Sequence, residues 1–440
     1  MARSGSGRIG ARERRKESPT LLEPRVLKSA ATERGQPPRA VRGRLGNRRA
    51  SLIGKRGHSD REAMLMPSSG NRYGVSEWAG AFGDIGTLIP FVLAYVTVLH
   101  LNPVGVLFAF GLAKVVTGLV YKTPVPIQPM KAIGGFALGH PSLVNPFMVW
   151  AAGLIIGVAW LLMGLTRAVE VLSRLAAKPV VRGIMLGLGL TFAQMGIARM
   201  GSDWPLAALG VVAALALFAT RFPAMFVLLL LGIAAAVAQR PELPGQLAAT
   251  GMAFRPPSLA ANFFTGAALT KGFFLLALPQ LPLTLGNAII AITHENNELF
   301  PAHPVTERKI AISTGLMNLL SPFVGGVPMC HGAGGMAGHV RFGARTGGAL
   351  VILGSLVLLL SLFGGPSTLL ILEAFPPAVL GVILFFAGME LAVTARDVGP
   401  RKSDVYLMLF VAALAMWNMG VAFVAGVVLS EVLRRGWVRV

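Results

Sequence analysis

The feature that most constrains this chain is a succession of apolar segments, most of them long enough to cross a lipid bilayer. They begin near Val75 and follow one another, with short polar breaks, almost to the C-terminus. About 20 apolar residues cross the hydrocarbon layer as a helix. The pattern predicts an all-α polytopic membrane protein with about fourteen transmembrane segments. These are 76–99, 104–121, 124–139, 147–166, 179–198, 204–220, 222–238, 270–293, 307–324, 327–340, 347–363, 377–394, 404–417 and 419–433.

Charge is distributed very unevenly along the chain. Only 13% of the residues are charged, against about 25% in soluble domains, yet the net charge is +21. Residues 1–62 hold 17 of the 40 Lys and Arg residues and are rich in Ser, Gly and Pro, which predicts a disordered basic tail. The tail either contacts anionic lipid or nucleic acid, or is a solvated arm or an over-extended start upstream of Met64 or Met66. We favour the second interpretation and expect no nucleic-acid partner.

The positions of the loop cations predict an orientation, because cytoplasmic loops carry an excess of Lys and Arg. With the tail inside and fourteen spans, the inner loops and the C-terminus at 434–440 hold 16 Lys and Arg, and the outer loops hold 4. The split favours an even number of spans and a multi-pass protein of the cell (inner) membrane with both termini cytoplasmic. The polar stretch 239–268 becomes an extracytoplasmic linker.

The two halves of the chain resemble one another. VPIQPMKAIGGFALGH (125–140) resembles VPMCHGAGGMAGH (327–339), and PVVRGIML from Pro179 lines up with PAVLGVIL from Pro377. The offsets, 202 and 198 residues, are nearly constant. A repeat of seven spans must be inverted, because an odd number of crossings reverses the second copy. Inverted repeats, here 75–238 and 269–433, with one interrupted segment each are typical of secondary transporters.

One segment in each repeat cannot be a continuous helix. Three prolines interrupt 124–139, and Pro328 with a Gly-rich run interrupts 327–340. We expect each to cross as an extended strand followed by a half helix, whose N-terminus favours an anion. Lys131 and His331 stand where these half helices would begin.

Glycines in both interrupted segments would let a ligand approach the backbone closely. They are Gly134 and Gly135 in the first, and Gly332, Gly334 and Gly335 in the second. The chemistry indicates a small anion held between two positive helix ends.

Four motifs carry a resemblance to a known family: GDIGTLIP (83–90), PIQPMKAIGG (126–135), PQLPLTLGNAIIA (279–291) and PMCHGAGGMAGHVRFGARTGG (328–348). From about Gly74 to the last span, the chain resembles the molybdate transporter family, a distant relative of the sulfate permeases (SulP). The resemblance implies two inverted seven-span repeats, a core domain and a gate domain, and transport of molybdate or a similar tetrahedral oxyanion. Ala132 stands where a small hydroxyl residue is expected in many relatives, so molybdate, tungstate and sulfate remain alternatives.

Four polar residues lie at or near the interrupted segments. Lys131 could give charge and hydrogen bonds to an oxyanion or form a structural pair with Asp84. Asp84 would not bind an anion directly; it could carry a coupling proton or hold Lys131. Gln128 could donate an amide N–H to the anion or satisfy the broken backbone. His331 could bind the anion, take a coupling proton or cap its half helix.

A further polar set lies in the apolar segment 270–293. Gln280, Thr284 and Asn287 have the spacing i, i+4, i+7, which predicts one helix face lining a cavity. Thr87 is a counterpart in the other half. Lys114 could pair with an acid such as Glu373 or Glu390, and the sequence leaves this choice open. The expected substrate-binding set is Gln128, Lys131, Gln280, Thr284, Asn287, His331, Gly332 and Gly334.

The predicted function is a secondary-active importer of a tetrahedral oxyanion, with molybdate favoured, by alternating access with the anion between the two half-helix N-termini. Neither a nucleotide-binding motif nor a nucleophile or metal constellation is found, so we expect no enzyme activity and no cofactor. Membrane lipid is the expected surrounding partner. Proton coupling and a homodimer stay open, and a non-transporting anion sensor is the remaining alternative.

Overall fold

A computed structural model describes residues 70–175, 177–218, 220, 224–251, 253–259 and 265–438. The predicted tail at 1–62 lies outside the described residues, as does part of the 239–268 linker. The first half contains α1 (Val75–Ala81), α2 (Ile85–Thr97), α3 (Pro103–Tyr121), β1 (Gln128–Pro129), α4 (Lys131–Gly139), α5 (Pro146–Leu165), α6 (Ala168–Leu175), α7 (Lys178–Met200), α8 (Trp204–Phe218), α9 (Ala224–Gln239) and α10 (Leu243–Thr250). A 3-10 turn, Phe82–Asp84, joins α1 to α2.

The second half repeats this order. It contains α11 (Gly266–Leu299), α12 (Glu307–Leu320), β2 (Met329–Cys330), α13 (Ala333–Arg341), α14 (Gly348–Ala374), α15 (Pro377–Val393), α16 (Lys402–Trp417) and α17 (Met419–Arg434). Each of the fourteen predicted segments overlaps a helix, or a strand followed by a helix, in this order.

The helices confirm an all-α polytopic membrane protein. Within the described residues, seven helices are long and apolar enough to cross a membrane, or up to eight if α9 and α10, which meet at a bend of 103°, form one span. Large apolar side chains such as Val212, Leu215 and Leu359 are more than half exposed, as suits a lipid-facing surface. The count of fourteen crossings stays a prediction.

Two helices in the first half begin with the same local signal. Asn102 precedes Pro103, and its side-chain oxygen accepts a hydrogen bond from Val104 N at 2.9 Å. Asn145 precedes Pro146 and accepts from Met148 N at 3.0 Å. An Asn cap satisfies a free N–H, and a proline in the first turn needs no acceptor, so these sequences start α3 and α5.

Helix packing displays the inverted repeat. The helix of the second predicted segment in one half packs against that of the fourth segment in the other half, in both directions: α3 against α14, and α5 against α12. The corresponding helices α7 and α15 pack against each other. We call α3, α5, α12, α14 and the two half helices the core group, and α7, α15 and α16 the gate group.

Some boundaries differ from the sequence-based segments. The segment predicted to end at residue 363 continues to Ala374 as one helix, with Pro366 inside it. Proline is tolerated within membrane helices because neighbouring groups satisfy the freed backbone. The short helices α6 and α10 were not predicted. Helix α11 is longer than expected and contains two π-helical stretches, Gly272–Ala277 and Thr284–Ile290.

Candidate functional site

The two interrupted segments meet at the centre of the fold. Strands β1 and β2 pair antiparallel, with Gln128 opposite Cys330 and Pro129 opposite Met329, and Met130 N donates to Pro328 O at 2.9 Å. The half helices α4 and α13 begin directly after these strands. The predicted extended strand and half helix is therefore confirmed in both repeats.

The two half-helix ends are not equivalent. At the start of α4, Gln280 Oε1 accepts hydrogen bonds from Ala132 N at 2.8 Å and Ile133 N at 3.4 Å. Gln280 Nε2 in turn donates to Thr284 Oγ1 at 2.9 Å. This side chain from α11 therefore occupies N–H groups that were expected to face an anion.

The N-terminus of α13 is more open. Gly332 is its N-cap, and Gly335 N donates to Gly332 O at 3.0 Å. Gly334 is exposed, and a side chain built on it would meet nothing within 4 Å. We expected both half-helix N-termini to face the anion. In the described residues Gln280 caps the start of α4, so mainly the start of α13 is accessible to a ligand.

A cavity of about 350 Å³, which we call the central cavity, lies beside this open end. Its polar lining includes Asp84, Thr87, Lys131, Asn287 and Gly334. Apolar groups from the gate group, among them Met185 and Leu391, form the facing wall. The cavity therefore lies between the core group and the gate group.

Lys131 is the cation of the cavity wall nearest the half-helix start. It is 5% exposed, and its ammonium group makes no side-chain hydrogen bond or ion pair within the described residues. An unpaired buried cation is costly in a low-dielectric environment. The cavity thus presents a positive charge available to an anionic ligand.

Asp84 is bound by neighbours other than Lys131. Its Oδ1 accepts a hydrogen bond from Gln128 Nε2 at 2.6 Å and a short one from the Thr87 hydroxyl. Its Oδ2 lies 3.8 Å from the ammonium of Lys114. The alternative of a Lys131–Asp84 pair is therefore not found in the described structure, and the acid beside Lys114 is Asp84, not Glu373 or Glu390.

His331 does not line the cavity, and its ring instead contacts groups beside the paired strands β1 and β2. Its Nδ1 lies 3.0 Å from Pro126 O and its Nε2 lies 2.7 Å from Ser313 Oγ. The ring packs edge-on against Tyr121 with 5.7 Å between centroids. Since the carbonyl of Pro126 can only accept, Nδ1 carries a proton, and both ring nitrogens have partners in the protein.

The predicted site residues thus divide into two groups. Asp84, Lys131, Asn287 and Gly334 line the central cavity, as does Thr87. The others stand behind its wall: Gln128, Gln280, Thr284, His331 and Gly332. Gly332 belongs there because a Cβ on it would lie 2.1 Å from Gln128 Oε1.

Two buried groups near the site were not predicted as part of it. Lys114 is fully buried and donates to Ile127 O at 2.8 Å. His339, also fully buried, has its Nε2 4.0 Å from Asp84 Oδ2. The sequence does contain a signal for His339. This histidine is the last residue of the motif at 327–339, just as His140 is the last residue of the related motif at 125–140 in the first repeat.

The fold and site define a class: a polytopic membrane protein of inverted repeats with a cavity suited to an anion. Three solved structures share the fold. The transmembrane domain of the cyanobacterial bicarbonate transporter BicA matches with a TM-score of 0.58 and 16% identity, over 79% of this chain and 97% of that one. An overall structure of SLC26A9 matches at 0.60 and 12%, over 90% and 72%, and murine Slc26a9 at 0.62 and 12%, over 92% and 74%.

Sequence comparison identifies the family. The family model described as a molybdate transporter of the MFS superfamily matches residues 76–192 and 272–391, one block in each repeat. Molybdate transporter 2 of Arabidopsis thaliana is 33% identical, over 82% of this chain and 87% of the relative. Molybdate transporter 1 of the same plant is 32% identical, over 83% and 89%. The chain belongs to the molybdate transporter family, whose members are anion transporters.

Proposed function

We propose that this protein is a secondary-active transporter that imports molybdate by alternating access. Its relatives in Arabidopsis thaliana and Chlamydomonas reinhardtii are named molybdate transporters, which supports the substrate. Molybdate is a tetrahedral dianion, and the central cavity offers a cation, an amide and an open helix end.

The observation that carries the proposal is the buried ammonium of Lys131, which lines the cavity without a partner in the described protein. A bound dianion would compensate this charge and accept its hydrogen bonds. We place the anion between Lys131, the Asn287 side chain and the backbone at Gly334. Gln128, Gln280, Thr284, His331 and Gly332 would hold these groups in position without touching the anion.

Asp84 lines the same cavity but would not be a ligand for a dianion, because like charges repel at short range. Its carboxylate is already engaged by Thr87, Gln128 and Lys114. Its proposed role is to fix Gln128 and to balance the charge of Lys114.

Alternating access would move the core group against the gate group, since the cavity lies between them. Arg341 and Arg396 also line the cavity. Arg341 ends α13 and Arg396 follows α15. The charge count puts both on the cytoplasmic side, so we propose that the cavity opens toward the cytoplasm. Cations at this mouth would attract the anion at close range.

Uptake of labelled molybdate by proteoliposomes tests the proposal. Loss of a hydrogen bond from a charged group costs about 1.5–3 kcal/mol, which corresponds to roughly 10- to 100-fold in affinity. Lys131→Ala should therefore lower uptake at subsaturating molybdate by at least that range. Lys402→Ala, an exposed lysine at the start of α16, is the matched control and should transport normally.

The same assay addresses substrate identity and the sensor alternative. Unlabelled tungstate and sulfate compete if they share the site, and the order of competition ranks the three oxyanions. Normal uptake by Lys131→Ala would overturn the site assignment. Absence of uptake by the unmodified protein, with retained molybdate binding, would favour an anion sensor.

A further inference from the structure

A second polar cluster extends from the cavity wall into the protein behind it and has no part in holding the anion. It consists of Asp84 on the turn between α1 and α2, Lys114 on α3 and His339 on α13, and all three side chains are 0% exposed. Asp84 Oδ2 lies 3.8 Å from Lys114 Nζ and 4.0 Å from His339 Nε2. Asp84 itself reaches the cavity.

The hydrogen bonds around His339 determine which of its nitrogens is basic. Nδ1 lies 2.8 Å from the carbonyl oxygen of Gly80. A carbonyl only accepts, so Nδ1 carries the proton and the lone pair of a neutral ring is on Nε2. This lone pair faces the carboxylate oxygen Oδ2, which also only accepts. Neither atom has a hydrogen-bond partner within the described residues.

Two buried acceptors facing each other are an unfavourable arrangement, because neither can donate to the other. The ammonium of Lys114, 3.8 Å from Oδ2, balances the carboxylate charge but makes no hydrogen bond to this atom. One added proton changes this, since Nε2–H could then donate to Oδ2 after a small movement of either side chain. The cluster can thus bind one proton between His339 Nε2 and Asp84 Oδ2. Because Asp84 also lines the cavity, this proton site is connected to the cavity.

Other ionisable groups near His339 do not fill this role. On α1, Glu77 Oε1 accepts from Arg345 N at 2.9 Å and from Thr346 N at 3.0 Å. The end of α11 that packs against α13 carries His294, Glu295 and Glu298, and none of them forms an ion pair with His339 in the described structure. Arg341 follows on α13 itself, and Lys131 lies on the cavity side of Asp84.

A proton at this site would compensate charge of the bound dianion. Arg341, Glu390 and Arg396 also line the cavity but are exposed, so the count concerns the buried groups. Among these, Lys114 and Asp84 cancel, and a dianion bound at Lys131 leaves one uncompensated negative charge in the membrane. A charge in low dielectric costs several kcal/mol, and one proton in the cluster removes it. We propose that His339 Nε2, facing Asp84 Oδ2, binds the proton that accompanies each oxyanion through the transport cycle. The inference rests on the proposed transport function.

Proteoliposomes clamped at zero membrane potential test the coupling. If one proton accompanies each anion, a gradient of one pH unit, acid outside, should raise steady-state molybdate accumulation about tenfold. His339→Gln should retain exchange of labelled for unlabelled molybdate but show no accumulation driven by the pH gradient. His140→Gln is the matched control, because His140 holds the same place in the first repeat, is exposed, and stacks on Phe136 at 4.6 Å.

The outcomes separate the two proposals. Absence of exchange in the unmodified protein would contradict the transport function itself. Normal exchange with an unchanged response of His339→Gln to the pH gradient would overturn the proton site alone.

A binding measurement on the unmodified protein needs no variant to fold. Calorimetric titration with molybdate in two buffers of different ionisation enthalpy counts the protons taken up on binding. About one proton per anion is expected, falling toward zero in His339→Gln or His339→Asn. Zero protons in the unmodified protein would also overturn the inference.

Discussion

At the scale of single residues, Gln280 performs a task different from the one its spacing suggested. Its amide oxygen accepts from Ala132 N and Ile133 N, and its amide nitrogen donates to Thr284. The side chain therefore caps a helix that begins in the middle of the fold, where no water is available to replace it. Lys131, one residue ahead, is held in place by this cap.

Gln280→Met tests the cap, since it keeps a long side chain and removes both amide groups. Leaving buried N–H groups unsatisfied costs about 1–3 kcal/mol, so the variant should melt at a lower temperature in detergent and bind molybdate several-fold more weakly. Gln239→Met, at an exposed position on α9, should match the unmodified protein in both measurements. A Gln280→Met protein with unchanged melting and affinity would show that the cap is dispensable.

The polar residues of the site could be predicted from the sequence because charges and amides are rare within apolar segments. The pairs that these residues form with one another could not be predicted. Lys114 lies on α3 and Asp84 on the turn before α2, and nothing in their spacing favours this pair over Lys114 with Glu373 or Glu390. Likewise, Gln280, Thr284 and Asn287 share a helix face by count, but only Asn287 reaches the cavity, and a π-helical stretch begins at Thr284.

At the scale of elements, glycine determines how closely helices α7 and α15 approach. A Cβ on Gly189 would lie 2.5 Å from Gly388 O, and one on Gly388 would lie 2.5 Å from Gly189 O. Gly196 and Gly381 repeat the relation at 2.6 Å. Small residues let backbones approach closely in membrane proteins, and the reciprocal contacts follow from the inverted repeat.

Gly189→Leu should separate these two helices, because carbon atoms cannot approach a carbonyl oxygen as closely as 2.5 Å. We expect a reduced yield of monodisperse protein in size-exclusion chromatography and a lower melting temperature. Gly245→Leu is the matched control, since a side chain at this position of α10 meets nothing within 4 Å. Equal behaviour of the two variants would contradict the close packing of α7 and α15.

The order of the helices could be predicted from the sequence, but the length of α14 could not. Apolar runs predicted the existence and order of the helices, because burial in lipid requires them. The run GGPS at 364–367 suggested a break, yet α14 continues through it to Ala374. Packing of α14 against α3 is a tertiary contribution that a local reading of Gly and Pro does not contain.

At the scale of the whole molecule, the charge of +21 separates into parts with different consequences. The first 62 residues hold 17 of the 40 Lys and Arg residues, and most of the others lie in the loops and C-terminus of the predicted cytoplasmic side. The anion site uses one of the two lysines that lie deep within the predicted spans, Lys131, while the other, Lys114, is balanced by Asp84. Transport should therefore depend on buried charge and not on net charge.

Deletion of residues 1–62 tests this separation. The residues proposed to bind the anion, the half helices and the central cavity all lie between residues 75 and 399. A chain that begins at Met64, and so lacks residues 1–62 and Ala63, should consequently take up labelled molybdate in proteoliposomes at a rate within about twofold of the full chain. Loss of uptake at equal protein incorporation would make the tail part of the transport machinery. If uptake is absent from both chains and only a downstream response depends on the tail, the protein acts as an anion sensor.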